Sequence, residues 1–234
     1  MRAPVSPRVA RPVMFQRWSR LTFVHWRYPA ELVQRVLPSS LTVETFDSSA
    51  WVGVVPFLME DVRVPGLPWT SRFPETNLRT YVRDERGRAG VWFLSLDASL
   101  LPAVLGGRAG FRLPYHWSRM SVRPDGARVR YRCHRRFGRA RCDADVTMGT
   151  PLTAGERDEL AHFLTARYLL FSVVATRLAA AEVEHPPWPL HHARLDRIDQ
   201  TLTEAAGLPA PTGPPVLHGS PGVPVRVGAW SWSR

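Results

Sequence analysis

The chain has no lysine: all 31 basic residues counted as lysine plus arginine are arginine. Imine chemistry on a protein side chain needs a primary amine that can lose its proton, and a guanidinium stays protonated. Only the N-terminal amine is left for such chemistry, and it sits at the end of a tail. Cysteine is scarce as well, with two in 234 residues, too few on their own to supply the four ligands of a structural zinc or a disulfide-built scaffold. No apolar run approaches the ~18 residues of a membrane helix. No Gly-x-Ser-x-Gly elbow accompanies Ser95, so the hydrolase nucleophile pattern is missing. The eight histidines include no His-x-His or His-x-x-x-His pair. His25, His116, His185 and His191 with Glu75 could be gathered round a metal only by the fold, and nothing local selects them. No metal and no cofactor is expected.

What is present is globular: 44% hydrophobic residues, nine Trp and ten Phe. A net charge of +11 and a pI near 11.1 invite a nucleic-acid reading. The arginines are spread along the chain, however, with no zinc-finger, helix-turn-helix or RNA-binding motif, so no specific nucleic acid is expected. Met1 to Pro12 is basic and proline-containing, without the apolar core of a signal peptide. It reads as a disordered tail, with residues 13–234 as one domain, Met14 as an alternative start and the cytoplasm as the default location. The oligomeric state is left open.

The densest chemistry lies between Phe73 and Met120. In Glu75-Thr76-Asn77-Leu78-Arg79-Thr80-Tyr81 the odd positions are carboxylate, amide, guanidinium and phenol. A strand sends alternate residues to opposite faces, so one face collects all four. The neighbouring run Val91 to Asp97 is apolar apart from Ser95 and Asp97, which argues for an interior location and a polar cavity lining. Two alternatives stand at this stage: a ligand pocket, or a buried Glu75–Arg79 pair serving only the scaffold.

Periodicity places a strand at Leu21–Trp26, a helix at Pro29–Val36, and strands at Leu41–Phe46 and Ala50–Phe57 joined as a hairpin by Asp47-Ser-Ser. Further strands are expected at Asn77–Val82 and Val91–Asp97, then a short helix near Leu100–Gly106. A helix is expected at Ala154–Ala166. The next two segments, Tyr168–Val174 and Leu178–His185, are ambiguous between helix and hairpin by composition. Residues 185–190, with three prolines, must be extended. A short helix at Thr201–Ala206, a loop at Pro209–Pro224 and a strand at Val225–Trp232 complete the chain. One hairpin can be registered. With Phe137-Gly138 at the turn and paired positions summing to 275, Val129, Tyr131 and Cys133 face Val146, Ala144 and Cys142. Arg130 and Arg132 then face Asp145 and Asp143. One face becomes apolar and the other pairs opposite charges, and a one-residue slip would destroy both patterns. The same register sets the two cysteines side by side as buried thiols.

The blocks Glu75-x-Asn77-x-Arg79-Thr-Tyr-Val, Gly90-Val-Trp-Phe-Leu-Ser-Leu-Asp97 and Leu113-Pro-Tyr-His116 resemble the YqjF-like family (domain of unknown function 2071). So do Phe23-Val-His25-Trp26, Phe46-Asp47 with Ala50 to Phe57, and His185-Pro-Pro-Trp-Pro-Leu190. The resemblance implies no assigned reaction. It implies an α+β, β-rich fold, a curved or closed antiparallel sheet with a few short helices, related to acetoacetate decarboxylase. It also favours the hairpin over the helix at 168–185. In those decarboxylases a Gly-Arg-Glu element leads to a Phe-Pro-Lys-type element whose lysine forms the Schiff base. Here Gly107-Arg108 leads to Leu113-Pro114-Tyr115-His116, with Tyr and His where that lysine stands. A lysine-imine decarboxylase is thereby excluded. The resulting expectation is a pocket for a small anionic or carbonyl-bearing molecule. Glu75, Tyr115 and His116 would be its proton-handling groups, and Asn77, Arg79, Arg108 and Ser95 its ligand contacts. A non-enzymatic sensor or scaffold is the alternative, and a basic nucleic-acid-contacting protein a more distant one.

Overall fold

The computed structural model describes residues 6–66, 68 and 70–232. Twelve strands form one sheet: β1 (Pro12–Tyr28), β2 (Leu41–Val43), β3 (Ala50–Arg63), β4 (Ser71–Asp84), β5 (Ala89–Ala98), β6 (Tyr115–Asp125), β7 (Arg128–Arg135), β8 (Arg141–Pro151), β9 (Leu169–Val174), β10 (Arg177–Glu184), β11 (His191–Gln200) and β12 (Val216–Trp232). Short helices α1 (Ala30–Gln34), α2 (Leu101–Phe111), α3 (Glu159–Thr165) and α4 (Leu202–Ala205) lie between them. None among the described residues is long and apolar enough to cross a membrane.

The sheet closes on itself twice. One circuit runs β12-β1-β3-β4-β5-β9-β10 and back to β12. The other leaves β5 through β6, β7, β8 and β11 and returns to β12 through the single bridge His191–Gly219. Strands β1, β3, β4, β5 and β12 belong to both, so their two faces look into two chambers. Val24, Trp26, Val52, Val54, Leu78, Cys133 and Cys142 pack into the second chamber, all nearly inaccessible. Each such side chain contributes roughly 1.5–3 kcal/mol when it is as large as leucine or phenylalanine. Pairing is antiparallel except at β5, which runs parallel to both β6 and β9; that expectation is corrected to a mixed sheet.

The β7–β8 hairpin has the expected register, from Val129–Val146 to Cys133–Cys142. Its ion pairs run on the diagonal instead of directly across: Arg132 and Arg128 both reach Asp145. Asp47 and Ser48 make the expected tight turn, both at positive φ, but β2 does not pair with β3. β3 is held between β1 and β4, and β2 pairs instead with the end of β4 beyond Thr80, where β3 has stopped, Leu41 opposite Asp84. The helix expected at 154–166 starts twice. Thr153 and Glu156 close a capping box around a 3-10 turn, and Asp158 then accepts from Ala161 N to cap α3. The loop expected at 209–224 becomes strand from Val216 onward because β1 supplies its hydrogen-bond partners. At Gly222, φ is +123° and an added Cβ would lie 2.0 Å from the Trp18 carbonyl oxygen, a contact only glycine tolerates. Residues 1–5 of the expected tail lie outside the described residues. Farther along, Val9 is buried and its N–H donates to Glu184 Oε2 at 2.8 Å.

Candidate functional site

The first chamber is not filled. A cavity of about 380 Å³ is lined by all seven strands of its circuit, by α2 and by residues 165–188. Its walls are apolar: Trp18 on β1, Phe57 and Met59 on β3, Phe73 on β4, Phe93 and Leu96 on β5, and Val227 on β12. Polar groups enter mainly from β4, whose alternation carries Glu75, Asn77 and Arg79 to this face. All three are buried.

Glu75 accepts a hydrogen bond from the Tyr115 hydroxyl at 3.0 Å and has no other partner among the described residues. Burial raises its pKa to about 8, and the Asp97 charge adds to the rise while the Tyr115 bond opposes it. Loss of solvation and the neighbouring carboxyl push the Tyr115 phenol well above its ordinary value. Tyr115 reaches this point because α2 presents Gly107 to its ring. A Cβ there would lie 2.4 Å from the ring carbons, so a bare backbone lets the ring pack flush against the helix. Arg108 fixes the same residue from behind, its Nε donating to the Tyr115 carbonyl at 2.7 Å.

Arg79 sits four residues along β4. Its Nη2 donates to the Leu164 carbonyl at 3.0 Å and to the Tyr81 hydroxyl at 3.4 Å. Its Nε has no partner, and neither has Asn77 Oδ1. Phe23 and Tyr81 lie against the guanidinium at 5.3 and 5.7 Å. The Tyr81 proton goes to the Leu164 carbonyl at 2.6 Å, which leaves His25 Nε2 to donate to the Tyr81 oxygen, also at 2.6 Å. Burial, with the Arg79 charge, holds the His25 pKa well down, so the ring is neutral with its proton on Nε2 and its buried Nδ1 has no partner. The buried Glu75–Arg79 pair considered from sequence does not form: each residue has found another partner.

Glu75, Tyr115, Asn77 and Arg79 therefore share one cavity, and three expected members lie outside it. Ser95 is turned away by a bulge at Leu94, where the register of β4 with β5 passes from Leu78–Ser95 to Arg79–Phe93. Phe93 and Leu96 face the cavity, and Ser95 and Asp97 face the second chamber. His116 follows Asp97, its partner across β5–β6, and alternation sends it to the face opposite Tyr115. Arg108 is exposed on α2 and acts only on the Tyr115 backbone.

Sequence reasoning missed Arg167, Trp18 and Trp188. Arg167 lines the cavity but is neutralised by Glu44, which also takes Arg83 Nη2. Trp18 and Trp188 stack with ring centroids 6.0 Å apart, a contact between segments 170 residues apart that no local pattern announces. His185, beside them, is kept neutral chiefly by burial. Among the described residues no group of three or more potential metal ligands forms.

A closed double-chambered sheet of this kind is the acetoacetate-decarboxylase-like fold. An acetoacetate decarboxylase-like enzyme from Sphingomonas wittichii RW1 matches with a TM-score of 0.66 over 96% of this chain and 94% of that one, at 14% identity. The enduracididine biosynthesis enzyme MppR, complexed with pyruvate, matches with a TM-score of 0.65 over 95% and 91%, at 16% identity. Within that fold class, the chain belongs to the DUF2071 family, described as an uncharacterized conserved protein, whose model matches residues 15–224. It is 34% identical over 211 residues to the uncharacterized protein YqjF of Bacillus subtilis (strain 168), covering 88% of this chain and 86% of that protein.

Proposed function

We propose that this protein binds a small carbonyl- or carboxylate-bearing molecule in the first chamber, where Glu75 and Tyr115 exchange a proton with it. One observation carries the reading. A carboxyl group with a pKa raised to about 8 stands in a cavity whose other walls are apolar. It is protonated at neutral pH and able to donate, yet close enough to neutrality to serve as a base. Paired with the Tyr115 hydroxyl, it suits proton transfer next to a carbonyl. The pyruvate complex of MppR lends the substrate class some support. With no lysine in the chain, no imine forms on the cavity wall, and the chemistry rests on acid, base and hydrogen bonds. We place the protein in the cytoplasm, where the adjacent buried Cys133 and Cys142 would stay reduced.

The test is deuterium exchange at carbon next to the carbonyl, for a panel of 2-oxo acids and 1,3-dicarbonyl compounds in heavy water, read by mass spectrometry. The unaltered protein should accelerate exchange for at least one member. Glu75→Gln should abolish the acceleration, and Tyr115→Phe should reduce it by roughly 10²–10⁴-fold, the usual worth of a positioned proton donor. Exchange undiminished in Glu75→Gln would overturn the reading, as would no exchange with any member of the panel.

A further inference from the structure

Among the described residues Arg79 is a buried charge without a carboxylate partner. It is 7% exposed, its Nε has no partner, and its bonds go to a carbonyl and a hydroxyl, never to a carboxylate. A buried charge without a carboxylate partner is costly, and a guanidinium on a cavity wall is a ready anion contact. We infer that Arg79, a wall residue of the cavity, seats the carboxylate of a monocarboxylic acid whose remaining body is apolar. This rests on the reading of the chamber as a ligand site and goes further by naming the ligand's charge, polarity and orientation.

The charge count sets the limit at one. Arg167 is the other guanidinium on the wall and is already matched by Glu44. Glu75, protonated at neutral pH, contributes nothing negative, and neutral His185 nothing positive. Arg79 is then the wall guanidinium without a carboxylate partner among the described residues, enough for one carboxylate. A second anionic group would be driven against Phe57, Met59, Phe73 and Phe93 or toward Glu75. Geometry sets the direction. Four residues of strand separate Glu75 from Arg79, about 13 Å between Cα atoms. A ligand anchored at Arg79 thus extends along an apolar wall toward the Glu75–Tyr115 pair, where its reactive part would lie.

Calorimetric titration of the full chain at pH 7 with octanoate, octanamide, 1-octanol and suberate tests this. Octanoate should bind ~10–100-fold tighter than the two neutral probes, the worth of a hydrogen bond to a charged group. Suberate should bind more weakly than octanoate. Arg79→Gln should remove the preference for the acid and leave 1-octanol binding in place. Asn77→Asp, which supplies Arg79 with an internal carboxylate, should weaken octanoate ~10-fold or more. Equal affinity for acid, amide and alcohol would overturn the carboxylate seat while leaving the chamber as a ligand site. Suberate binding as tightly as octanoate would overturn the limit of one charge. Absence of binding by all four would overturn the inference outright, and the deuterium-exchange experiment would still decide the proton-transfer reading independently. Should Arg79→Gln fail to fold, the four-probe comparison on the unaltered chain settles the matter alone.

Discussion

Arg135 and Arg79 are both buried arginines on strands of the same sheet, and the structure treats them in opposite ways. Arg135 faces the filled chamber, where its Nε and Nη2 grip Asp97 at 2.9 and 3.1 Å and Ser118 completes the carboxylate's shell at 2.7 Å. Asp97 is wholly buried, and every partner it needs is protein. Arg79 faces the hollow chamber with no carboxylate and a bare Nε. A fold that neutralises one buried guanidinium so completely has the means to neutralise the other. The difference supports the proposal that the hollow chamber, unlike the filled one, takes a ligand.

The largest effect that would sharpen this contrast comes from Glu75. Its pKa is raised from the ordinary 4.5 to about 8, so between those values the folded chain holds a proton that the unfolded chain has released. The stabilising contribution is fully present below about pH 4.5 and is lost as pH rises through about 8. By linkage it amounts to about 4–5 kcal/mol. Urea unfolding of the unaltered protein should show that decline with pH, and Glu75→Gln should flatten it, matching the parent near pH 5 and exceeding it at pH 9. Parallel pH profiles for the two proteins would remove the buried protonated carboxyl from the picture.

Next in size is Arg135→Met, which strands the Asp97 carboxylate and should cost about 3–5 kcal/mol in the same measurement. Arg79→Met should be far milder, within about 1 kcal/mol, because it removes a charge without a carboxylate partner and leaves no carboxylate behind. Equal losses from the two substitutions would erase the distinction between the chambers. The smallest expected effect is none at all. Borohydride treatment with acetoacetate or pyruvate should trap no adduct within the chain, since arginine offers no amine to trap. A covalent adduct mapped away from the N-terminus would refute that.

The register of β7 and β8 was legible because the two strands are neighbours in sequence and the turn leaves few ways to pair them. Charge and apolar alternation then selected one. The polar face of β4 was legible for a similar reason, since alternation within a single strand is a local property. The face of Ser95 was not legible, because the bulge at Leu94 reverses every face of β5 after it. His116 and Arg108 were misplaced because their neighbour Tyr115 is aimed by α2 and Gly107, which no spacing reveals.

The sequence by itself determined that no lysine imine can form, that Glu75, Asn77 and Arg79 share a face, and that Cys133 meets Cys142. Each follows from composition or from the period of a strand. Only the tertiary structure decided that Glu75 bonds Tyr115, 40 residues away, and that Arg79 leans on Leu164, 85 residues away. Partners at that separation are fixed by how a closed sheet brings distant strands together. The sharing of five strands between two chambers is likewise a matter of closure, and it leaves one chamber packed and the other open.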